Sequence, residues 1–156
     1  MKKPSAASTP KPLESYTLFV EENLGKRLAG ALREQGLTVV THVDNPEVPR
    51  GIDDSVWAAK VGQEGWVALT KDNDTRYKPN ERIAIVRAKA RVIQLTRGPW
   101  TSDQMIEAVT LAKRRLRMLL HRNPGPFIAR VNKKGEITQL FKEADLTGPD
   151  DPEPTP

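Results

Sequence analysis

A chain of 156 residues, 37% of them hydrophobic, can build one modest core and is too short for a second independent domain. It has no cysteine, which excludes disulfides, thiolate metal sites and cysteine nucleophiles and makes a reducing, cytoplasmic compartment the expectation. The net charge of +5 is uneven: residues 142–156 are acidic, while residues 15–141 carry 21 basic against 14 acidic side chains, a surplus that suits a polyanionic partner and equally an ordinary basic surface.

Residues 1–15, rich in Pro, Ser and Lys, lack the apolar stretch of a signal peptide, and no segment is apolar enough for a membrane span, so no membrane partner is expected. These residues and the Pro-rich stretch 142–156 are expected to be disordered tails around one domain at 16–141. Inside that domain, short apolar runs alternate with helical patterns, the signature of βαβ units wound into a parallel sheet. Tyr16 to Val20 reads as a strand. Asn23 then reads as a helix N-cap, Leu24, Leu28 and Leu32 share one stripe, and Gly36 falls where a left-handed cap belongs. Leu37 to Val43 is the second strand, followed by a turn-rich link through Pro46 and Pro49. A short helix begins at Asp53 or Asp54 and ends near Gly65. Trp66 to Thr70 is the apolar run of a central strand covered on both faces. Pro79 opens a helix with Ile83 and Val86 toward the core, and Arg91 to Leu95 is the fourth strand. Thr101 and Gln104 fit a capping box for the longest helix, whose stripe is Met105, Val109, Ala112, Leu116 and Leu119. Phe127–Val131 and Ile137–Phe141 then flank Asn132–Gly135 as a hairpin or strand pair.

Open parallel sheets gather functional groups beyond the carboxyl ends of their strands, and acidic residues stand there in this sequence. Glu21 and Glu22 follow the first strand, Asp44 the second, Asp53 and Asp54 start a helix, and Asp72 and Asp74 follow the central strand. Converging carboxylates repel one another, and a hard divalent cation, Mg²⁺ or Mn²⁺, relieves the repulsion and can activate water for phosphodiester cleavage. Each acid also has a plainer role: Asp53 or Asp54 as a helix cap, Asp72 and Asp74 as turn formers. With His42 and His121 alone there is no histidine cage, and no nucleophile elbow or phosphate-binding glycine loop is present. His42, near the proposed edge, fits either a phosphate contact or a packed strand residue. Trp57 and Trp66 read as core, and Trp100 as a staple at a helix start or a contact surface.

The segments Phe19–Leu28, Gly65–Asp72, Arg76–Pro79 and Pro126–Val131 resemble, in order and over about Leu18 to Leu140, the PIN-like domains grouped with VapC-type toxins of prokaryotic toxin–antitoxin systems. The resemblance implies a three-layer α/β/α fold with a central, mainly parallel sheet, an acidic metal site that hydrolyses RNA, and a cognate antitoxin as protein partner. Carried over by position, the metal-binding and catalytic acids are Glu21, Asp54 and Asp72, with Asp74 a fourth catalytic candidate and Asp44 an auxiliary one. The family pattern has Asp where this chain has Glu21. The longer side chain sets its carboxylate one methylene farther out, and a misplacement near 1 Å can cost roughly a hundredfold in rate.

Lys71, Arg76 and Lys78 adjoin the proposed site and suit a phosphate backbone, while Tyr77 suits either base stacking or packing over the next helix. The leading reading is therefore an Mg²⁺- or Mn²⁺-dependent endoribonuclease, the toxin of a toxin–antitoxin pair. A PIN-like module that binds RNA or protein without cutting is the alternative, favoured by the change at Glu21. A phosphotransfer domain is third, weakened by the lack of a D-x-D at the first strand. A homodimer is compatible with the sequence.

Overall fold

A computed structural model describes residues 9–42, 54–71 and 79–147, with side chains described for 9–42, 57–71 and 81–147. A six-stranded sheet lies between two layers of helices. The strands are β1 (Thr17–Val20), β2 (Thr38–Val40), β3 (Val67–Lys71), β4 (Arg91–Leu95), β5 (Phe127–Val131) and β6 (Ile137–Lys142). Their spatial order is β2-β1-β3-β4-β5-β6. The first five are parallel, and β6 runs antiparallel to β5, as a hairpin-sized connection requires. The helices are α1 (Lys26–Glu34), α2 (Asp54–Glu64), α3 (Pro79–Ala88), α4 (Ser102–Arg122) and the single turn α5 (Glu143–Leu146). This is the expected α/β/α architecture, with a mainly parallel central sheet. No described helix is long and apolar enough to cross a membrane.

The strands are apolar on both faces because both are covered, and alternation divides their side chains between two cores. Leu18, Val20, Val67, Leu69, Ile93, Leu95, Phe127, Ala129 and Val131 pack with Leu28 and Leu32 of α1 and Met105, Val109, Ala112, Leu116 and Leu119 of α4. The residues between them, Phe19, Ala68, Val92 and Ile128, pack with Trp57, Ala58 and Val61 of α2 and Ile85 of α3. Thr101 caps α4 as expected: its Oγ1 accepts from Gln104 N at 3.1 Å, and its own N–H donates to Gln104 Oε1 at 2.8 Å.

Four local readings are corrected. Asn23 is not an N-cap; Glu22–Leu24 form a 3₁₀ turn that buries Leu24, and Gly25, at φ 88°, precedes α1. On α3 Val86 packs partly buried on the core as read, but the fully buried residue is Ile85, whereas Ile83 is 45% exposed. The cause is the approach of α3 to α2, where a Cβ on Gly62 would stand 2.1 Å from the Ala88 carbonyl oxygen and so fixes which face of α3 is turned inward. The second strand is shorter than the apolar pattern, ending at Val40. The ordered chain also extends past 16–141 at both ends. Leu13, in the turn Leu13–Ser15, and Leu146, in α5, are each 4% exposed because each apolar side chain joins a core, Leu13 that of α1 and α4 and Leu146 that of α2 and α3.

α1, α2 and α3 share one ending. In each, the residue after the cap donates to a carbonyl three back and its successor donates to one five back: Gly36 and Leu37, Gly65 and Trp66, Lys89 and Ala90. The motif needs a left-handed backbone, supplied by Gly36 (φ 90°) and Gly65 (φ 72°) but by a lysine, Lys89 (φ 55°), after α3. A Cβ there costs on the order of 1 kcal/mol.

Candidate functional site

The chain leaves β1 for β2 on one side and returns to β3 on the other, so the β1–β3 pair is the switch point of the sheet. In open α/β sheets the carboxyl edge at such a point is where ligands bind. Glu21 is the first residue beyond β1, and its N–H still donates to Leu69 O of β3 at 3.0 Å, so its backbone is held by the sheet. With Val20 opposite Leu69, Glu21 comes beside Thr70. Thr70 is paired with Gln94, Gln94 with Arg130, and Arg130 with Gln139. Each lies two residues beyond Phe19, Ala68, Val92 or Ile128, or across the antiparallel pair from Arg130. Alternation therefore turns Glu21, Thr70, Gln94, Arg130 and Gln139 to the α2–α3 face as one polar row above that core.

The chemistry of the row is graded. Thr70 is 4% exposed, and among the described residues its Oγ1 has no hydrogen-bond partner. A hydroxyl held dry and unbonded is costly unless something in the site accepts or donates to it. Gln94 is 3% exposed and accepts from Arg130 Nε at 2.7 Å, while Arg130 Nη1 donates to Gln139 Oε1 at 2.8 Å. Arg130 also lies over the Phe141 ring at 5.4 Å. Two amides and an aromatic face thus fix a guanidinium at the carboxyl edge, beside a cavity of about 430 Å³ that Arg82 of α3 also lines.

Of the sequence-derived site residues, Glu21 is placed at the switch point. Asp54 is the first helical residue of α2, the helix packed on the same face as the row, and its side chain lies outside the described residues. Asp44, Asp53, Asp72, Asp74, Arg76, Tyr77 and Lys78 also lie outside them. Lys71 closes β3 opposite Leu95, and by alternation it is directed toward the α1–α4 face, away from the Glu21 row. Among the described residues, no three Asp, Glu or His side chains converge on one point. His42 is 8% exposed and stands edge-on to Phe19 at 5.1 Å, a packed residue beneath this edge. Trp57 is core, as expected, and Trp100 packs beside α4 with its Nε1 donating to Thr96 O at 2.8 Å. Sequence reasoning missed Thr70, Gln94 and Arg130 as a set. The available signal was a polar residue at the last inward position of an otherwise apolar strand.

A family profile described as "PIN like domain" matches residues 17–97. Among curated proteins, "Putative ribonuclease VapC45" of Mycobacterium tuberculosis is 27% identical over 119 residues, covering 74% of this chain and 85% of that protein. No solved structure matches significantly.

Proposed function

The chain belongs to the PIN-like domain family, and from that premise we propose that it is a metal-dependent endoribonuclease, the toxin of a toxin–antitoxin pair, acting at the carboxyl edge between β1 and β3. The observation that carries the reading is the inward polar row: a carboxylate at the switch point, a buried hydroxyl beside it without a described partner, and a fixed guanidinium two strands away. Adjacent strands lie about 4.8 Å apart, so Arg130 stands roughly 10 Å along the row from Thr70. That spans about three stacked nucleotides at a duplex-like rise, fewer in an extended strand.

The donor chemistry fits a hard divalent cation, Mg²⁺ or Mn²⁺, since the candidate ligands Glu21, Asp54 and Asp72 are all carboxylates and Thr70 brings a further oxygen to the same edge. When bound, such an ion supplies an activated water and neutralises charge on the phosphodiester. The chain's own residues do the rest. Arg130 and Arg82 hold a downstream phosphate, Arg76 and Lys78 draw the polyanion in, and Lys71, on the other face of the same edge, adds to the field that attracts it. The Asp72 and Asp74 carboxylates orient the reacting group, and Tyr77 stacks on a neighbouring base. The relative's printed name, a ribonuclease, supports RNA as substrate, and an antitoxin as protein partner rests on the resemblance to VapC-type toxins.

A second reading, a PIN-like module that binds RNA or protein without cleaving, is favoured by one feature, the glutamate at position 21 where the family pattern has Asp. Incubating the purified chain with a mixed RNA pool in Mg²⁺ or Mn²⁺, beside an EDTA control, separates the two. Cleavage that EDTA abolishes supports the nuclease, and intact RNA under both metals with retained binding supports the silent module.

A further inference from the structure

The opposite, amino edge of the sheet carries a second cavity, of about 440 Å³, lined by Lys11, Lys89, Arg91 and His121 together with Tyr16 and Trp66. Its size is that of a small-molecule site, and one five-residue strand, about 16 Å, separates it from the Glu21 edge. Among the described residues no carboxylate lines it and none pairs with any of its basic side chains.

The arrangement is built. Arg117 of α4 donates from Nε to Lys11 O at 3.0 Å and from Nη2 to Pro10 O at 2.8 Å, and buried Leu13 pins the same segment, so the chain before β1 is held where Lys11 lines the cavity. Lys11 Nζ and Arg91 Cζ then lie over one ring, Tyr16, at 5.1 and 5.5 Å. Two cations sharing one ring repel each other, and Arg91, half withdrawn from water, has its pKa lowered by desolvation against the opposing pull of Tyr16. One guanidinium N–H group goes to Gly65 O at 2.9 Å, leaving donors for a ligand. Independently, Lys89 occupies the left-handed position that Gly36 and Gly65 fill in the equivalent endings of α1 and α2. A side chain kept at a backbone conformation that disfavours it, on a residue that lines the cavity, points to a role for that side chain.

We propose that this amino-edge cavity is a phosphate-binding site separate from the candidate nuclease edge. Phosphate matches the charge better than a carboxylate does: three cations, two of them over the Tyr16 ring, over-neutralise a single negative charge, whereas a pyrophosphate or a run of backbone phosphates balances them. The phosphate comes either from a free nucleotide or from the RNA strand itself.

Calorimetric titration in EDTA, with inorganic pyrophosphate, adenosine diphosphate and a single-stranded hexaribonucleotide lacking terminal phosphates, tests the proposal. The expected result is saturable binding by the wild-type chain, weakened about tenfold in Lys89→Gly and in Lys11→Gln. Lys89→Gly relieves the backbone, so its melting temperature should equal or exceed that of wild type, which separates lost affinity from lost folding. Saturation by pyrophosphate and adenosine diphosphate assigns a free phosphoryl ligand. Saturation by the hexaribonucleotide with the same Lys89 dependence assigns the RNA backbone. Absence of saturable binding with all three probes, or equal affinities in wild type and both variants, overturns the proposal.

Discussion

Replacing Thr70 with valine should stabilise the fold and damage the activity together. Thr70 is 4% exposed, follows Ala68 and the fully buried Val67 in β3, and presents a hydroxyl with no partner among the described residues. An unsatisfied buried hydroxyl costs roughly 1–3 kcal/mol, and valine puts a methyl of similar size in its place. A gain of about 1 kcal/mol is therefore expected, which for a domain of this size raises Tm by about 2–5 °C. If the hydroxyl serves the site, the same substitution removes one hydrogen bond from the bound state, worth about 1.4 kcal/mol or tenfold in kcat/KM. Thermal unfolding in EDTA and RNA cleavage in Mn²⁺ give the two readouts on one variant. A Tm that falls in EDTA would show the hydroxyl already satisfied within the fold. An unchanged kcat/KM would remove Thr70 from the site.

Gly62→Ala should lower stability by about 1–3 kcal/mol in urea unfolding, because the new Cβ meets the Ala88 carbonyl at 2.1 Å and overpacking outweighs a helix-propensity gain of about 1 kcal/mol; a stabilised variant would refute the close α2–α3 approach. Arg130→Gln should raise KM for RNA about tenfold and reduce its salt dependence while kcat changes little, as expected for a phosphate contact away from the cleaved bond; an unchanged KM would remove Arg130 from the RNA path. Truncation after Phe141 should cost about 2 kcal/mol by removing the buried Leu146 from the α2–α3 core, whereas truncation after Thr147 retains it and should keep the urea midpoint of the full chain; equal midpoints for the two truncations would refute a structural role for α5.

How far the sequence reveals the structure depends on whether the signal is local. The capping box at Thr101, the stripe from Met105 to Leu119 and the left-handed turn at Gly36 are each set by residues a few positions apart, and all three form as read. The two-faced burial of β3 follows from its unbroken apolar run. Ile83 and Ile85 are both apolar and two apart on a helix with a weak stripe, so only the approach of α2 at Gly62 decides which is buried. The tails misled for a related reason: composition averages over a segment, while Leu13 and Leu146 act singly, each by covering a place on a core that exists only after folding. Glu21 was visible as an acid after a strand. Its neighbours in the polar row were not, because Thr70, Gln94 and Arg130 are joined by register between strands distant in sequence. Lys89 shows the converse, since nothing in Ala88-Lys89-Ala90 announces a left-handed residue, and only comparison with the two glycine-terminated helices reveals it.

The central claim is that metal-dependent RNA cleavage occurs at the carboxyl edge between β1 and β3, using carboxylates that follow both strands. Its most direct test is the rate of RNA cleavage in Mn²⁺ by wild type, Asp72→Asn and Glu21→Asp, with circular dichroism to establish that all three are folded. The account predicts loss of cleavage in Asp72→Asn, by at least a hundredfold, and an equal or higher rate in Glu21→Asp, whose shorter side chain restores the family's ligand length. Wild-type rates from a folded Asp72→Asn would contradict it.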